Sequence, residues 1–204
     1  INELSGCSTD DSFPLKPQRI LHDTRKILDD HDILISDVGA HKMWIARLYP
    51  CERPNTCIIS NGFAAMGIGL PGGIAAKLVH PERRVLVITG DAGFMMNSQE
   101  IETALRYGIP VVIMIWNDGG YGLIKWHQDR RFGRSGLVDF GNPDFVRYAE
   151  SFGAKGYRVA AAAELLPVLE QAFADNTLVV IDVPVDYREN MKLTQKLGQL
   201  VCPI

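Results

Sequence analysis

The sequence lacks the signatures of several protein classes. Its four cysteines include no C-x-x-C pair, which argues against a zinc site or a redox dithiol and favours a reduced, cytoplasmic protein. No apolar run approaches the roughly 20 residues that cross a bilayer. The net charge is only −3 and no basic stripe is present, so we expect neither nucleic acid nor a membrane as a partner. A G-x-S-x-G nucleophile motif is also missing.

The two ends of the 204-residue chain lack the regular hydrophobic pattern of its middle. We expect a linker at 1–16, one domain at 17–187 and a C-terminal tail at 188–204. The first residue is Ile1 rather than Met, and no signal-peptide pattern follows it. We therefore expect the chain to be a fragment of a longer protein.

Short continuous apolar runs alternate with segments of helical character along the domain. The runs have the length of strands and do not alternate with polar residues, as expected of strands covered on both faces. They lie at 33–36, 57–60, 85–89, 111–116 and 178–183. Helices are predicted within 17–31, 97–108, 142–153 and 161–175. This order predicts an α/β fold, a doubly wound, mostly parallel sheet with helices on both faces.

Two aspartates follow two of the predicted strands, at the edge where ligands bind in such sheets. Asp91 and Asp118 stand 27 residues apart, the length of one crossover, so their strands can be neighbours. Two carboxylates that meet there repel each other unless a cation lies between them, and oxygen ligands favour Mg²⁺ or Ca²⁺ over zinc. The adjacent glycines would let backbone groups approach a ligand. The combination predicts a magnesium-bound phosphate.

Simpler interpretations exist for these residues and their neighbours. Each Asp could cap the helix that follows it, with the glycines only shaping the turns, although two such loops together favour the metal. His41 follows "DVGA" at the same edge, and a ligand contact is favoured there over a helix-start role. Met66, taken from the sequence alone, is better explained as core filling.

The segment "GIGLPG" at 67–72 matches the G-x-G-x-x-G pattern of dinucleotide-binding sites. That pattern should begin at the end of its strand, yet six residues separate Ser60 from Gly67 and Pro71 falls inside the motif. We interpret Gly67 to Gly73 as small residues that let a helix pack close to the sheet.

Two glycine-rich motifs, "GDAGF" at 90–94 and "WNDGGYG" at 116–122, are accompanied by "SDVGAHKMWIARLY", "IISNGFAAMGIGLP" and "IDVPVDYREN". Together these stretches resemble the C-terminal, diphosphate-binding domain of the acetolactate synthase family of thiamine diphosphate-dependent enzymes. The resemblance covers residues 17–190. It implies thiamine diphosphate and Mg²⁺ as cofactors, with Asp91, Asp118 and the backbone carbonyl of Gly120 as metal ligands.

The resemblance also assigns roles to residues around the motifs. Gly39 and His41 are implied to approach the diphosphate, together with the residues after Asp91. Met66 is implied to be the apolar wedge that bends the cofactor, while its N–H and the carbonyl of Ala64 reach the aminopyrimidine. The implied cofactor-binding residues are Gly39, His41, Ala64, Met66, Gly90, Asp91, Ala92, Gly93, Asp118, Gly120 and Tyr121.

Two departures from the family motif bear on the branch of the family. The usual GDG is GDA here, which keeps a small residue, Ala92, near the diphosphate. The second Asn of the motif is Asp118, still an oxygen ligand. This "ND" form resembles the catabolic members, and His127 stands where flavin-binding members typically carry Trp. Thiamine diphosphate and Mg²⁺ are therefore expected without FAD, which stays the less favoured alternative.

The implied reaction is decarboxylation of pyruvate and carboligation to a second 2-keto acid, giving acetolactate, in branched-chain amino acid or acetoin metabolism. The activating glutamate is implied to come from the pyrimidine-binding domain of a second subunit, so no catalytic residue is expected in this chain. The resemblance also implies that the whole protein is a three-domain enzyme and that it forms a homodimer or homotetramer. The alternatives are another 2-keto acid decarboxylase, oxidase or carboligase of the superfamily, or a cofactor-binding module that is inactive without its partner domain.

Overall fold

A computed structural model describes residues 9–197, in which six strands form one parallel sheet. Every neighbouring pair of strands is parallel, and the spatial order is β2-β1-β3-β4-β6-β5. The prediction of a doubly wound α/β sheet is confirmed. The strands are β1 (Ile33–Ser36), β2 (Cys57–Ile59), β3 (Val85–Gly90), β4 (Val112–Asn117), β5 (Lys155–Arg158) and β6 (Val179–Pro184).

Helices cover both faces of the sheet, because alternate residues of each strand point to opposite sides. On one face Leu34 and Leu86 pack with Trp44 in one apolar cluster. On the other face Val85 and Phe145 belong to a second cluster. The helices are α1 (Pro17–Ile27), α2 (Ala40–Leu48), α3 (Gly69–Val79), α4 (Asp91–Met96), α5 (Glu100–Arg106), α6 (Gly122–Phe132), α7 (Phe145–Ser151), α8 (Leu165–Ala174) and α9 (Asn190–Leu197).

The structure differs from the sequence-based expectation at the sheet edge and at both ends of the described chain. Strand β5 was not predicted, because its sequence "KGYR" has no apolar run and its residues are half-buried or exposed at the sheet edge. The end of the predicted linker at 1–16 also joins the domain. Leu15 is fully buried, and its N–H donates to the carbonyl of Pro184 at 3.0 Å.

The predicted C-terminal tail at 188–204 begins with a helix, since α9 starts at Asn190. Residues 1–8 and 198–204, with Cys7 and Cys202, lie outside the described residues. In the described part of the chain, none of the helices has the length and apolar character needed to cross a membrane.

Glycines in α3 allow that helix to lie against the sheet. A Cβ atom on Gly69 would stand 3.0 Å from Cγ1 of Val87, and one on Gly73 would collide with Cγ2 of the same valine and lie 3.2 Å from Cγ2 of Val111. The interpretation of this segment as small residues for close helix packing is confirmed for Gly69 and Gly73. It is wrong for Gly67, which precedes α3 and lies against Asn97 and Met96, and Gly72 has room for a Cβ atom.

Two neighbouring glycines of α3 should respond oppositely to alanine. Gly73→Ala should lower the free energy of unfolding by about 1–3 kcal/mol, since the sheet must shift to admit the methyl group. Gly72→Ala is the matched control, because its nearest neighbour, Cγ2 of Ile35, is at an ordinary 3.5 Å. The control should be neutral or stabilising by up to about 1 kcal/mol. Urea unfolding measures both, and equal stabilisation by the two variants would refute the packing argument.

Candidate functional site at the carboxyl edge of the sheet

A cavity of about 240 Å³ opens at the carboxyl ends of the central strands. The loops after β1, β3 and β4 line it, as expected for a doubly wound sheet. Residues from the segment before α3 and from the start of α6 complete the lining. All eleven residues predicted from the sequence lie together in this lining: Gly39, His41, Ala64, Met66, Gly90, Asp91, Ala92, Gly93, Asp118, Gly120 and Tyr121.

Asp91 directly follows β3 and is held firmly by hydrogen bonds. The side chain is only 1% exposed. Its Oδ1 accepts from the N–H of Ala92 at 2.8 Å, and its Oδ2 accepts from the N–H of Gly119 at 2.8 Å and from Nδ2 of Asn142 at 2.7 Å. The bond to Gly119 joins the loop after β3 to the loop after β4, so the two acidic loops are fixed to one another.

Asp118 lines the same cavity as Asp91, and its carboxyl is influenced by the charge of Asp91. Burial and the Asp91 carboxylate raise the pKa of Asp118 to about 7. Burial also raises the pKa of Asp91, and its hydrogen bonds from Asn142, Ala92 and Gly119 oppose that rise. Two carboxylates with raised pKa values in one cavity are a favourable place for a cation, which would relieve both burial and repulsion.

The protein supplies few other ligands for a cation. Residues 9–197 contain no group of three or more His, Cys, Asp or Glu side chains arranged around one metal position. A cation between Asp91 and Asp118 would therefore need backbone carbonyl oxygens or oxygens of a bound molecule. In the described part of the chain, no Lys or Arg lines this cavity.

Glycines keep the loop after β4 close to its neighbours. A Cβ atom on Gly120 would stand 2.8 Å from the carbonyl oxygen of Val138, and one on Gly122 would collide with Oδ2 of Asp118. Gly119 has φ = +69°, a conformation that glycine adopts without strain. Gly120 and Gly122 thus let the backbone lie close to Val138 and to the Asp118 carboxylate, respectively.

His41 lies on the first turn of α2 and is 1% exposed. Burial lowers the pKa of His41 to about 4, so its imidazole is neutral at pH 7. Its Nε2 is buried and makes no hydrogen bond in the described part of the chain. A Cβ atom on Gly39 would stand only 2.7 Å from Cε1 of His41. The glycine leaves room for the ring, and an unpartnered buried nitrogen in a cavity wall is suited to a polar ligand.

Met66 is half-buried and lines the cavity. Neither apolar core cluster of the described residues includes it, which counts against core filling. The loop around it is held by Asp37, whose carboxylate accepts from the N–H groups of Gly67 at 3.0 Å and Gly69 at 3.2 Å. Ala64, two residues earlier, has φ = +51°.

Asp37 is a residue that the sequence analysis missed. It is 1% exposed and also accepts from the N–H of Val38 at 2.6 Å and the hydroxyl of Thr89 at 3.2 Å. It therefore ties the loop after β1 to the end of β3 and to the Met66 loop. The available signal was its position directly after a predicted strand, the same signal that identified Asp91.

Comparison with known proteins places these features in a family context. Residues 37–183 match the family described as "Thiamine pyrophosphate enzyme, C-terminal TPP binding domain". The chain is similar to acetolactate synthase of Bacillus subtilis (strain 168), with 40% identity over 190 residues, covering 91% of this chain and 33% of the relative.

Two further relatives show the same coverage. The catabolic acetolactate synthase of Raoultella terrigena is 39% identical over 188 residues, covering 92% of this chain and 33% of the relative. The acetolactate synthase isozyme 3 large subunit of Escherichia coli (strain K12) is 36% identical over 194 residues, covering 92% and 33%. The chain thus spans about a third of the length of the curated relatives that it matches.

The raised pKa of Asp118 predicts a pH-dependent stability of the metal-free protein. A carboxyl with a pKa of about 7 when folded and an ordinary value when unfolded binds its proton more tightly in the folded state. Its cost is fully present above pH 7 and disappears as the pH falls from 7 towards 4. Asp118→Asn should therefore stabilise the metal-free protein at pH 8, by roughly 1–2 kcal/mol after allowance for partial exposure.

Thermal melts in a metal chelator at pH 8 and pH 5 measure this effect. The stabilisation by Asp118→Asn should be large at pH 8 and small at pH 5. Glu102→Gln, which removes an exposed carboxylate paired with Arg106, controls for the change in net charge. Equal effects of Asp118→Asn at both pH values would contradict the prediction.

Proposed function

We propose, from the premise that this chain belongs to the thiamine pyrophosphate enzyme family as its C-terminal TPP-binding domain, that the 240 Å³ cavity binds thiamine diphosphate together with Mg²⁺. The observation that carries this proposal is the pair Asp91 and Asp118 in a cavity without basic side chains in the described residues. A pair of carboxylates of this kind suits a hard cation, and the cation suits a diphosphate.

The proposed metal ligands are Asp91, Asp118 and the backbone carbonyl of Gly120. Residue 120 has no room for a side chain, because a Cβ atom there would stand 2.8 Å from the carbonyl oxygen of Val138. This supports a role for Gly120 through its backbone. The diphosphate would lie along Gly39, His41 and the backbone of residues 90–93. The buried Nε2 of His41, which has no hydrogen-bond partner within the described residues, supports this assignment because it is a polar atom left for a bound molecule.

Met66 is proposed to be the apolar wedge under the cofactor, with the carbonyl of Ala64 directed to the aminopyrimidine. Its absence from both core clusters and its place in the cavity lining support this role. The hydrogen bonds from Gly67 and Gly69 to Asp37 would hold the wedge in position. Tyr121, the residue immediately before α6, would form part of the cavity wall contributed by the loop after β4.

The proposed activity of the whole protein is that of an acetolactate synthase, in keeping with the names of its relatives. Bound thiamine diphosphate supplies the carbanion chemistry that decarboxylates pyruvate and joins the remaining unit to a second 2-keto acid. The residues of this chain anchor the cofactor and orient it. The activating glutamate is proposed to come from a pyrimidine-binding domain of a second subunit in a homodimer or homotetramer.

Two finer parts of the proposal concern the setting and the flavin. A cytoplasmic location is supported by Cys51 and Cys57, which are free thiols. Independence from FAD is supported by Asp118 and His127 at the positions where the catabolic branch of the family differs.

A second candidate function is a cofactor-binding module that is inert by itself. One observation favours it: no glutamate of the described residues lines the cavity. General acid–base assistance at the aminopyrimidine would then depend on a carboxylate from elsewhere in the enzyme.

Removal of one proposed metal ligand tests cofactor binding. Asp91→Asn keeps the shape of the side chain but lowers its charge, so affinity for thiamine diphosphate in Mg²⁺ should fall by several kcal/mol, roughly a hundredfold or more. Isothermal titration calorimetry measures the loss. Glu102→Gln, an exposed carboxylate of α5 outside the cavity lining, is the matched control of equal charge change and should bind as the unmodified chain does. Unchanged affinity in Asp91→Asn would refute the metal assignment.

Catalysis by this chain alone tests the source of the glutamate. Incubation with pyruvate, Mg²⁺ and thiamine diphosphate should give no acetolactate above the protein-free control, because no glutamate of the described residues reaches the cavity. Addition of the pyrimidine-binding domain of a relative should restore product formation. Robust synthesis of acetolactate by the chain alone would show that the activating base lies within it.

A further inference from the structure

Asn142 connects the two acidic loops by a contact that the sequence analysis did not predict. It lies in the loop before α7, and its Nδ2 donates to Oδ2 of Asp91 at 2.7 Å. The same nitrogen donates to Oδ1 of Asn117, the last residue of β4, at 2.9 Å. Both protons of one amide nitrogen are therefore used, one on the end of each central strand.

A hydrogen-bonded chain continues from Asn117 across the sheet to the surface. Nδ2 of Asn117 donates to Oδ1 of Asp182 in β6 at 2.9 Å. Nε of Arg158 in β5 donates to Oδ2 of the same Asp182 at 3.0 Å. Arg158 also donates to Asp144, the N-cap of α7, at 3.0 Å.

This series of hydrogen bonds fixes the orientation of the side-chain amides of Asn117 and Asn142. The nitrogen of Asn117 is committed to a carboxylate, Asp182, so its oxygen must face Asn142. Asn142 must then present its nitrogen to that oxygen and to Asp91. If an acceptor replaced Nδ2 of Asn142, it would face two oxygens, Oδ2 of Asp91 and Oδ1 of Asn117, with no proton between them. The network thus requires a donor towards Asp91.

The donors on Asp91 are distributed unequally between its two oxygens. Among the hydrogen bonds of the described residues, Oδ2 accepts from Nδ2 of Asn142 and from the N–H of Gly119, and Oδ1 accepts from the N–H of Ala92. The N–H of Gly120 is a further, weaker donor to the same carboxylate. Each oxygen of an ionised carboxylate has about two lone pairs available. Oδ2 is therefore occupied by two close donors, one of them Asn142, and Oδ1 is the oxygen that can more readily accept a cation.

We propose that Asn142 is a positioning residue that fixes the Asp91 carboxylate so that Oδ1 is presented to Mg²⁺. The inference rests on the proposed function, since it assumes that the cavity binds Mg²⁺ with thiamine diphosphate. Asn142 does not line the cavity, so its effect is exerted through Asp91. Partners of this kind behind a metal ligand typically change metal affinity by about 10–100-fold.

A positioning role has a consequence for the choice of cation. Mg²⁺ requires short, near-octahedral coordination, whereas Ca²⁺ accepts longer and more variable ligand distances. A carboxylate that can rotate freely should therefore harm Mg²⁺ binding more than Ca²⁺ binding. A purely structural role of Asn142 would weaken both cations equally, or neither.

The experiment compares Mg²⁺ and Ca²⁺ binding to the full 204-residue chain by calorimetry, at saturating thiamine diphosphate. Asn142→Ala should lower Mg²⁺ affinity about 10–100-fold and Ca²⁺ affinity several-fold less. Asn142→Ser, which keeps a small polar residue but is too short to reach Asp91, should behave alike and serves if the alanine variant melts early. Arg158→Gln cuts the same network at its surface end and should leave Mg²⁺ affinity within about twofold.

The outcomes separate this inference from the proposed function. If the unmodified chain binds neither Mg²⁺ nor thiamine diphosphate, the proposed function is wrong. If it binds both, and the Asn142 variants keep its Mg²⁺ affinity and its Mg²⁺ to Ca²⁺ ratio, the positioning role is overturned while the proposed function stands. An equal loss for both cations with a lowered melting temperature would also overturn it, because Asn142 would then be structural.

Discussion

Two like charges held at one edge of the sheet are the constraint on which the rest of the site depends. The register that pairs Gly90 with Trp116 ends β3 and β4 side by side, so the residues that follow, Asp91 and Asp118, must share one cavity. Burial, and after it the charge of Asp91, raises the pKa of Asp118 to about 7. The glycine turns and the hydrogen bonds to Asp91 maintain this arrangement despite its cost.

The buried carboxylates of this edge divide into two kinds by their partners. Asp37 accepts from Val38, Gly67, Gly69 and Thr89, and such full satisfaction is typical of a structural carboxylate that joins loops. Asp118 instead has a raised pKa, which marks a group whose charge the protein alone does not balance. This contrast separates a carboxylate that is available to a ligand, Asp118, from a structural carboxylate, Asp37, at the same edge of the sheet.

The parts of the site that the sequence predicts are those with a pattern in a short stretch of residues. Continuous apolar runs predicted the central strands, and an acid directly after a strand predicted Asp91 and Asp118. The sequence analysis missed Asn142, which meets Asp91 from 51 residues away and has no pattern of its own. Strand β5 was missed because an edge strand needs no apolar run. Leu15 was assigned to a linker because a single buried residue has no periodicity.

The charges of the cavity require its two proposed ligands to depend on each other. Two carboxylates and a neutral His41 form its ionisable lining together with tyrosines, and no Lys or Arg of the described residues joins them. A diphosphate entering alone would be repelled by the carboxylates of Asp91 and Asp118, whereas a cation alone would keep most of its coordination as water. Each ligand supplies the charge that the other lacks. Their binding free energies are therefore coupled, and by linkage each must raise the affinity of the other by the same factor.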